Sequence, residues 1–249
     1  MPTNKGFTLI ELLVVIAIIA LLMSILMPAL NKAKLQAQST ADKSNQHQFS
    51  LVWKYFTDDH DGLFPNRQDI QDWPDLMAEY MGDMDKSIWM CPAATKPYVY
   101  GGRPPYAAWN DDVEDGEEML FGSYSVNLWC AVTRDMGASR DPLKFWQSPN
   151  VKGCAYAPLL MDGNWSNTEP EVNDEAPEYD GYWWQPNANE MKRVCINRHN
   201  YQVHGSFLDM SVKTIRLKAL WKLRWHKKWT QDAAPPSGWP AWMASLPEY

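Results

Sequence analysis

No GxSxG, HExxH, P-loop or dinucleotide fingerprint occurs in the 249 residues, and no internal repeat is found. Those absences remove the usual signatures of nucleophilic hydrolases, zinc proteases and phosphate-cradling enzymes, and no carboxylate pair stands apart from the acidic stretches as an acid/base couple. The four cysteines, Cys91, Cys130, Cys154 and Cys195, form no CxxC pair and have no histidine at zinc-finger spacing. That pattern argues against a metal knuckle. Positive charge is also short, with 23 Lys and Arg against 30 Asp and Glu, and the net charge of -7 argues against nucleic acid as the main partner. The reading is of a non-enzymatic chain with no implied cofactor.

What the sequence does contain is concentrated at its start. Residues 7–27 read FTLIELLVVIAIIALLMSILM, where only Thr8, Glu11 and Ser24 are not apolar. As a helix this run rises about 31 Å, enough to cross a bilayer core. A secretory signal peptide starts similarly but with a shorter apolar core, and the small residues at 29–33 leave that reading open. Glu11 separates the two readings, because a carboxylate deep in an apolar helix costs several kcal/mol unless it is paired. A cut after Gly6 would give Phe7 a free α-amine, a cation that a neighbouring subunit could bring to Glu11.

The string KGFTLIELLVVIAIIALL resembles the leader and first helix of type IV pilins and type II secretion pseudopilins. The resemblance implies cleavage between Gly6 and Phe7 by a prepilin peptidase, N-methylation of Phe7, and a role for Glu11 in subunit registration. It also implies a single-pass subunit of the bacterial inner membrane, leader inside and C-terminal domain periplasmic. Its partners would be copies of itself or related pilin-like subunits and an inner-membrane assembly platform. Pro28 falls where many pilins carry a helix-bending proline, the other reading being a helix end at the membrane surface. An uncleaved anchor is the alternative for the segment as a whole.

The expected organisation is a leader over 1–6, a helix over 7–56 that spans the membrane at about 7–27, and an α+β domain over 57–249. In that domain a mainly antiparallel sheet packs on the second half of the helix, whose stripe at Phe49, Val52 and Phe56 has helical spacing. Strands are expected within 87–92, 123–132, 154–162 and 203–215, and short helices at 72–80 and 218–229. After the long helix, Asp59 and Asp61 form a fragment of a calcium loop, but Thr57 and Gln68 stand where acidic ligands belong, and a helix-terminating turn is the better account.

Two acidic stretches, 111–118 and 169–180, read as solvated loops, whereas 192–228 is strongly basic. That segregation suits head-to-tail pairing of the basic region with an acidic loop of the next subunit, or two separately solvated faces. His199 and Asp209 read as a hairpin with a local His-to-Asp hydrogen bond. Their spacing resembles that of a group of pilin-like proteins in which a histidine is followed after nine residues by Asp-Gly, with Met210 replacing the glycine. The cysteines, if exported, form two disulfides in one of three connectivities or remain four buried thiols. Trp221, Trp225 and Trp229 have the spacing of one buried helix face. Trp183 and Trp184 follow an acidic, proline-containing segment, and an exposed pair there would suit a surface protein that binds carbohydrate, the alternative function.

Overall fold

The computed structural model describes residues 8–82, 86–95, 105–110, 121–133, 140–181, 189–230 and 233–248. The chain forms two compact units, Met1–Gln38 and Ser39–Tyr249. Helix α1, Leu9–Asp59, contributes to both.

In the first unit, the side chains of residues 9–37 are exposed. Among the described residues, α1 is the one helix long and apolar enough to cross a membrane, and none of its most apolar window is buried inside the protein. A continuous apolar surface with no protein packed on it is suited to lipid or to other apolar helices. Pro28 lies inside the helix and does not end it. Proline removes one backbone donor, so the Ser24 carbonyl loses its usual partner.

The second unit opens with the rest of α1, which buries Asp42, Gln46, Phe49, Ser50, Val52, Trp53, Phe56 and Thr57 on one face. Steps of three and four residues place these groups along a single stripe. Phe49 is its hub: its ring meets Trp73 at 5.5 Å, Trp89 at 4.9 Å and Tyr124 at 5.8 Å, all edge-on. Burial of such a ring contributes about 1.5–3 kcal/mol. The helix stops where Asp61 and Gly62 turn to positive φ and the Gly62 N–H bonds back to the Thr57 carbonyl at 2.7 Å. Helix α2, Trp73–Met81, follows with Pro74 in its first turn, where a missing N–H costs nothing.

Strands β1 (Trp109–Asn110) and β2 (Phe121–Gly122) pair as a small ribbon. The main sheet holds β3 (Tyr124–Asn127), β4 (Pro158–Asp162), β5 (Asn167–Thr168), β6 (Gln202–Phe207) and β7 (Val212–Arg216), in the order β5-β3-β4-β6-β7. Among the described strands of this sheet, β3 and β5 are the one parallel pair, so the sheet is mixed within an α+β fold. β3 and β4 are buried along their whole length, which explains why β4 reads as an apolar run, while β3 buries Ser125 and Asn127 together with Tyr124 and Val126. Their neighbour β6 forms a regular hairpin with β7, closed by Met210 at φ 63°. The methionine thus adopts the left-handed conformation that glycine would take more easily.

Two expected elements are absent. Residues 87–92 form no strand: a 3₁₀ turn, Lys86–Trp89, leads into an irregular segment. The expected helix over 218–229 is a 3₁₀ segment, Leu217–Lys222, followed by turns. Trp221, Trp225 and Trp229 are still core, but they are held by their indole N–H groups, which donate to the carbonyls of Asp174, Leu220 and Trp221 at 2.9–3.0 Å. A buried indole that satisfies its N–H locally needs no helical frame. Helix α3, Ala241–Ala244, covers the end of the chain.

Candidate functional site

The N-terminal motif has a local structure that its apolar character concealed. Thr8 is the N-cap of α1 and Glu11 its third residue: the Thr8 N–H and hydroxyl donate to Glu11 Oε2 at 2.8 and 2.7 Å, and the Glu11 N–H donates to Thr8 Oγ1 at 3.3 Å. This is a capping box, the Thr-x-x-Glu pattern that satisfies two otherwise orphaned donors at a helix start. Glu11 therefore occupies the first turn, where the helix dipole favours negative charge, rather than lying deep in the helix without a partner. Gly6 and Phe7 lie outside the described residues.

A second constellation lies in the folded domain, where α1 meets the sheet. It gathers Asp42 from α1, Cys91 from the segment after the first 3₁₀ turn, Asp162 from the end of β4 and His199 from the loop before β6. All four residues are buried, and their potential ligand atoms lie within 4.8 Å of one another. His199 Nε2 is at the centre, 3.2 Å from Cys91 Sγ, 3.3 Å from Asp42 Oδ2 and 3.4 Å from Asp162 Oδ2.

The surrounding groups hold these side chains in place. The Tyr124 hydroxyl donates to Asp42 Oδ1 at 2.7 Å, and the His204 N–H to Asp162 Oδ2 at 2.7 Å. Arg198, also fully buried, lies 3.5 Å from Asp162 Oδ1 and donates to the carbonyls of Pro105, Ser123, Ala107 and Gly163 at 2.5–3.1 Å. Gly163 itself lies tight against β3: a Cβ there would stand 1.7 Å from Ser125 Oγ. The His204 ring stacks on His199 with centroids 4.3 Å apart, and its Nε2 meets Ser39 Oγ at 2.8 Å.

The electrostatics follow from this packing. Burial pushes Asp162 up, but hydrogen bonding and charge from His199, with Arg198 and His204, outweigh it and hold the carboxyl at about 2. Burial acts against charge on His199 too, yet its two carboxylate neighbours raise it to about 9. Burial lowers His204 to about 4, and burial with the nearby Asp162 charge raises Asp42. The result is a cationic His199 held against the Asp162 carboxylate and beside Asp42, with a neutral imidazole, His204, stacked behind it.

Of the residues singled out in the sequence, only His199 and Cys91 enter this cluster. His199 does not pair with Asp209; that carboxylate accepts the Ser211 N–H and hydroxyl at 3.1 and 2.6 Å and shapes the β6–β7 turn. The four cysteines are free thiols, three of them buried. Cys130 donates to the Pro158 carbonyl at 3.6 Å, and Cys195 lies 3.9 Å from Met243 Sδ. Asp59 and Asp61 are exposed at the end of α1. Trp183, Trp184 and the acidic stretch 111–118 lie outside the described residues. The stretch 169–180 is not a solvated loop: Glu169 is buried between Arg67 and Arg140, and Asp174 accepts the N–H groups of Glu171, Glu190 and Met191. Part of the basic region is also used internally, with Lys192 and Lys218 buried and Arg193 paired to Glu190.

Asp42 and Asp162 were missed because an isolated acid reads as surface. A signal for Asp42 was present: Asp42 and Gln46 extend the Phe49, Trp53, Phe56 stripe in helical steps, so they belong to the buried face.

Residues 1–27 match the family model described as the prokaryotic N-terminal methylation motif. No curated protein and no solved structure matches the chain. The chain thus carries a prepilin-type motif on a long apolar helix, as a type IV pilin-like protein does, and the pair supports a membrane anchor.

Proposed function

We propose that this chain is a structural, non-enzymatic subunit of a type IV pilus or type II secretion-type filament. The observation that carries the proposal is the methylation motif at residues 1–27, coincident with an exposed apolar helix of membrane-crossing length. A prepilin peptidase cuts between Gly6 and Phe7, the anchored subunit is stored in the inner membrane with its folded domain in the periplasm, and an assembly platform stacks the apolar helices of successive subunits.

The capping box supports a mechanism that links the two steps. Among the described residues, Glu11 bonds neighbouring Thr8 groups at the helix start, contacts of the kind that contribute about 0.5–2 kcal/mol. Cleavage creates a cationic α-amine at Phe7. In the low-dielectric interior of a helix bundle, an amine from an adjacent subunit outcompetes a neutral hydroxyl for the carboxylate. Glu11 exchanges a cap within its own chain for an ion pair between chains, and that pair sets the axial register.

Intact-mass and N-terminal analysis of the protein recovered from its own cells tests the reading. A chain beginning at N-methylated Phe7 is the expected result; a chain beginning at Met1 overturns it.

A further inference from the structure

The buried cluster around His199 has a geometry that hydrogen bonding alone does not account for. Nε2 carries one hydrogen at most, yet three acceptors surround it at 3.2, 3.3 and 3.4 Å. A charge-assisted N–H···O bond closes to about 2.7–2.9 Å, and none of these contacts does. The three distances suit the edges that meet at one corner of a coordination tetrahedron, and the other ligand pairs lie within 4.8 Å. With metal bonds of about 2.0–2.2 Å to nitrogen and oxygen and about 2.3 Å to sulfur, ligand atoms stand about 3.3–3.6 Å apart.

We propose that Asp42, Cys91, Asp162 and His199 bind one divalent cation of the zinc class in a closed structural site. The thiolate and imidazole ligands select a borderline ion such as zinc over calcium or magnesium, which favour all-oxygen shells. Four protein ligands leave no open position for substrate, and that marks a structural site rather than a catalytic one.

Charge balance suits a dication: two carboxylates and the Cys91 thiolate as ligands bring three negative charges, which the ion and the neighbouring Arg198 guanidinium offset, leaving the buried cluster neutral. The outer contacts orient the ligands: Tyr124 holds Asp42 through Oδ1 and leaves Oδ2 facing His199, while the Ala93 N–H donates to Cys91 Sγ at 3.4 Å. Such outer contacts fix the orientation of metal ligands. The four ligands come from four distant parts of the sequence, so the ion cross-links α1 to the end of β4 and to two loops. The site stands apart from the filament reading and does not depend on processing.

The test uses the full-length chain purified in detergent, stripped with a chelator and titrated with Co²⁺. One equivalent is expected to give intense visible bands of tetrahedral cobalt and thiolate-to-cobalt charge transfer in the near ultraviolet, both displaced by Zn²⁺. Cys91→Ser is expected to abolish the charge-transfer band, Cys154→Ser to leave it intact, and Tyr124→Phe to weaken binding about 10-fold or more. X-ray absorption on the zinc-loaded wild type, which needs no variant, is expected to show one sulfur at about 2.3 Å and three lighter ligands at about 2.0 Å. Failure of the wild type to bind stoichiometrically, a shell without sulfur, or charge transfer that survives Cys91→Ser overturns the assignment.

Discussion

The Tyr124 hydroxyl donates to Asp42 Oδ1 at 2.7 Å, with both residues fully inaccessible to solvent, and so ties strand β3 to helix α1 through a single buried bond. Removing one partner of such a buried bond leaves the other unsatisfied, at a cost of about 1–3 kcal/mol. Tyr124→Phe keeps the ring contact with Phe49 and removes only the hydroxyl. The expected loss is about 1–3 kcal/mol in denaturant unfolding of the chelator-stripped chain, with an unchanged m-value. A loss below about 0.5 kcal/mol would show that Asp42 finds another donor.

Arg198 is a stronger dependence. Its guanidinium serves four backbone carbonyls besides Asp162, so truncation orphans several buried acceptors at once. Arg198→Ala is expected to destabilise by about 3–5 kcal/mol or to prevent folding. Arg198→Lys should recover little, since a lysine ammonium cannot reproduce the planar fork of donors. Thermal melts of the two variants side by side check both statements.

Acid sensitivity should trace in part to Glu171. Burial pushes its carboxyl up, but hydrogen bonds and charge from His226 and Lys144 outweigh this and hold it below the ordinary value. A depressed carboxyl contributes stability that is full above the unfolded value of 4.5 and is lost as the pH falls through the folded one. Glu171→Gln is therefore expected to lower stability at neutral pH and to flatten the decline below about pH 4.5. Chemical denaturation across pH 3–7, about the range where that carboxyl titrates, compares the two curves; parallel curves would rule Glu171 out as a source.

Charge and cap can be separated at the helix start. Gln serves in a capping box as Glu does, so Glu11→Gln retains the bond to Thr8 and removes only the charge. Under the exchange proposed for Glu11, leader removal continues in this variant while incorporation into filaments falls. Immunoblots of processed protein and of sheared filaments read the two outcomes independently, and normal incorporation would exclude a role for the charge.

The legible parts of the fold were those where one local rule acted alone. The β6–β7 hairpin follows from a strand, a turn and a strand in series, and the membrane-length helix from an unbroken apolar run. The tryptophans of 221–229 show the limit: their spacing fits a helix, but each indole is anchored by its own carbonyl, and buried area decided the outcome rather than periodicity. In the buried cluster, His199 was recognisable as chemistry, but the acid its spacing suggested, Asp209, was taken by a turn. Its true partners come from 157 and 37 residues away, distances at which sequence pattern carries no information.

Helix α1 also has a consequence for release of the domain from its anchor. Phe49, Trp53 and Phe56 belong to the same unbroken helix as the apolar segment, and they are core residues of Ser39–Tyr249. A protease that sheds an intact domain must therefore cut before Ser39. Any cut between Asp42 and Phe56 takes part of the core with the stump, so shedding and unfolding become one event there.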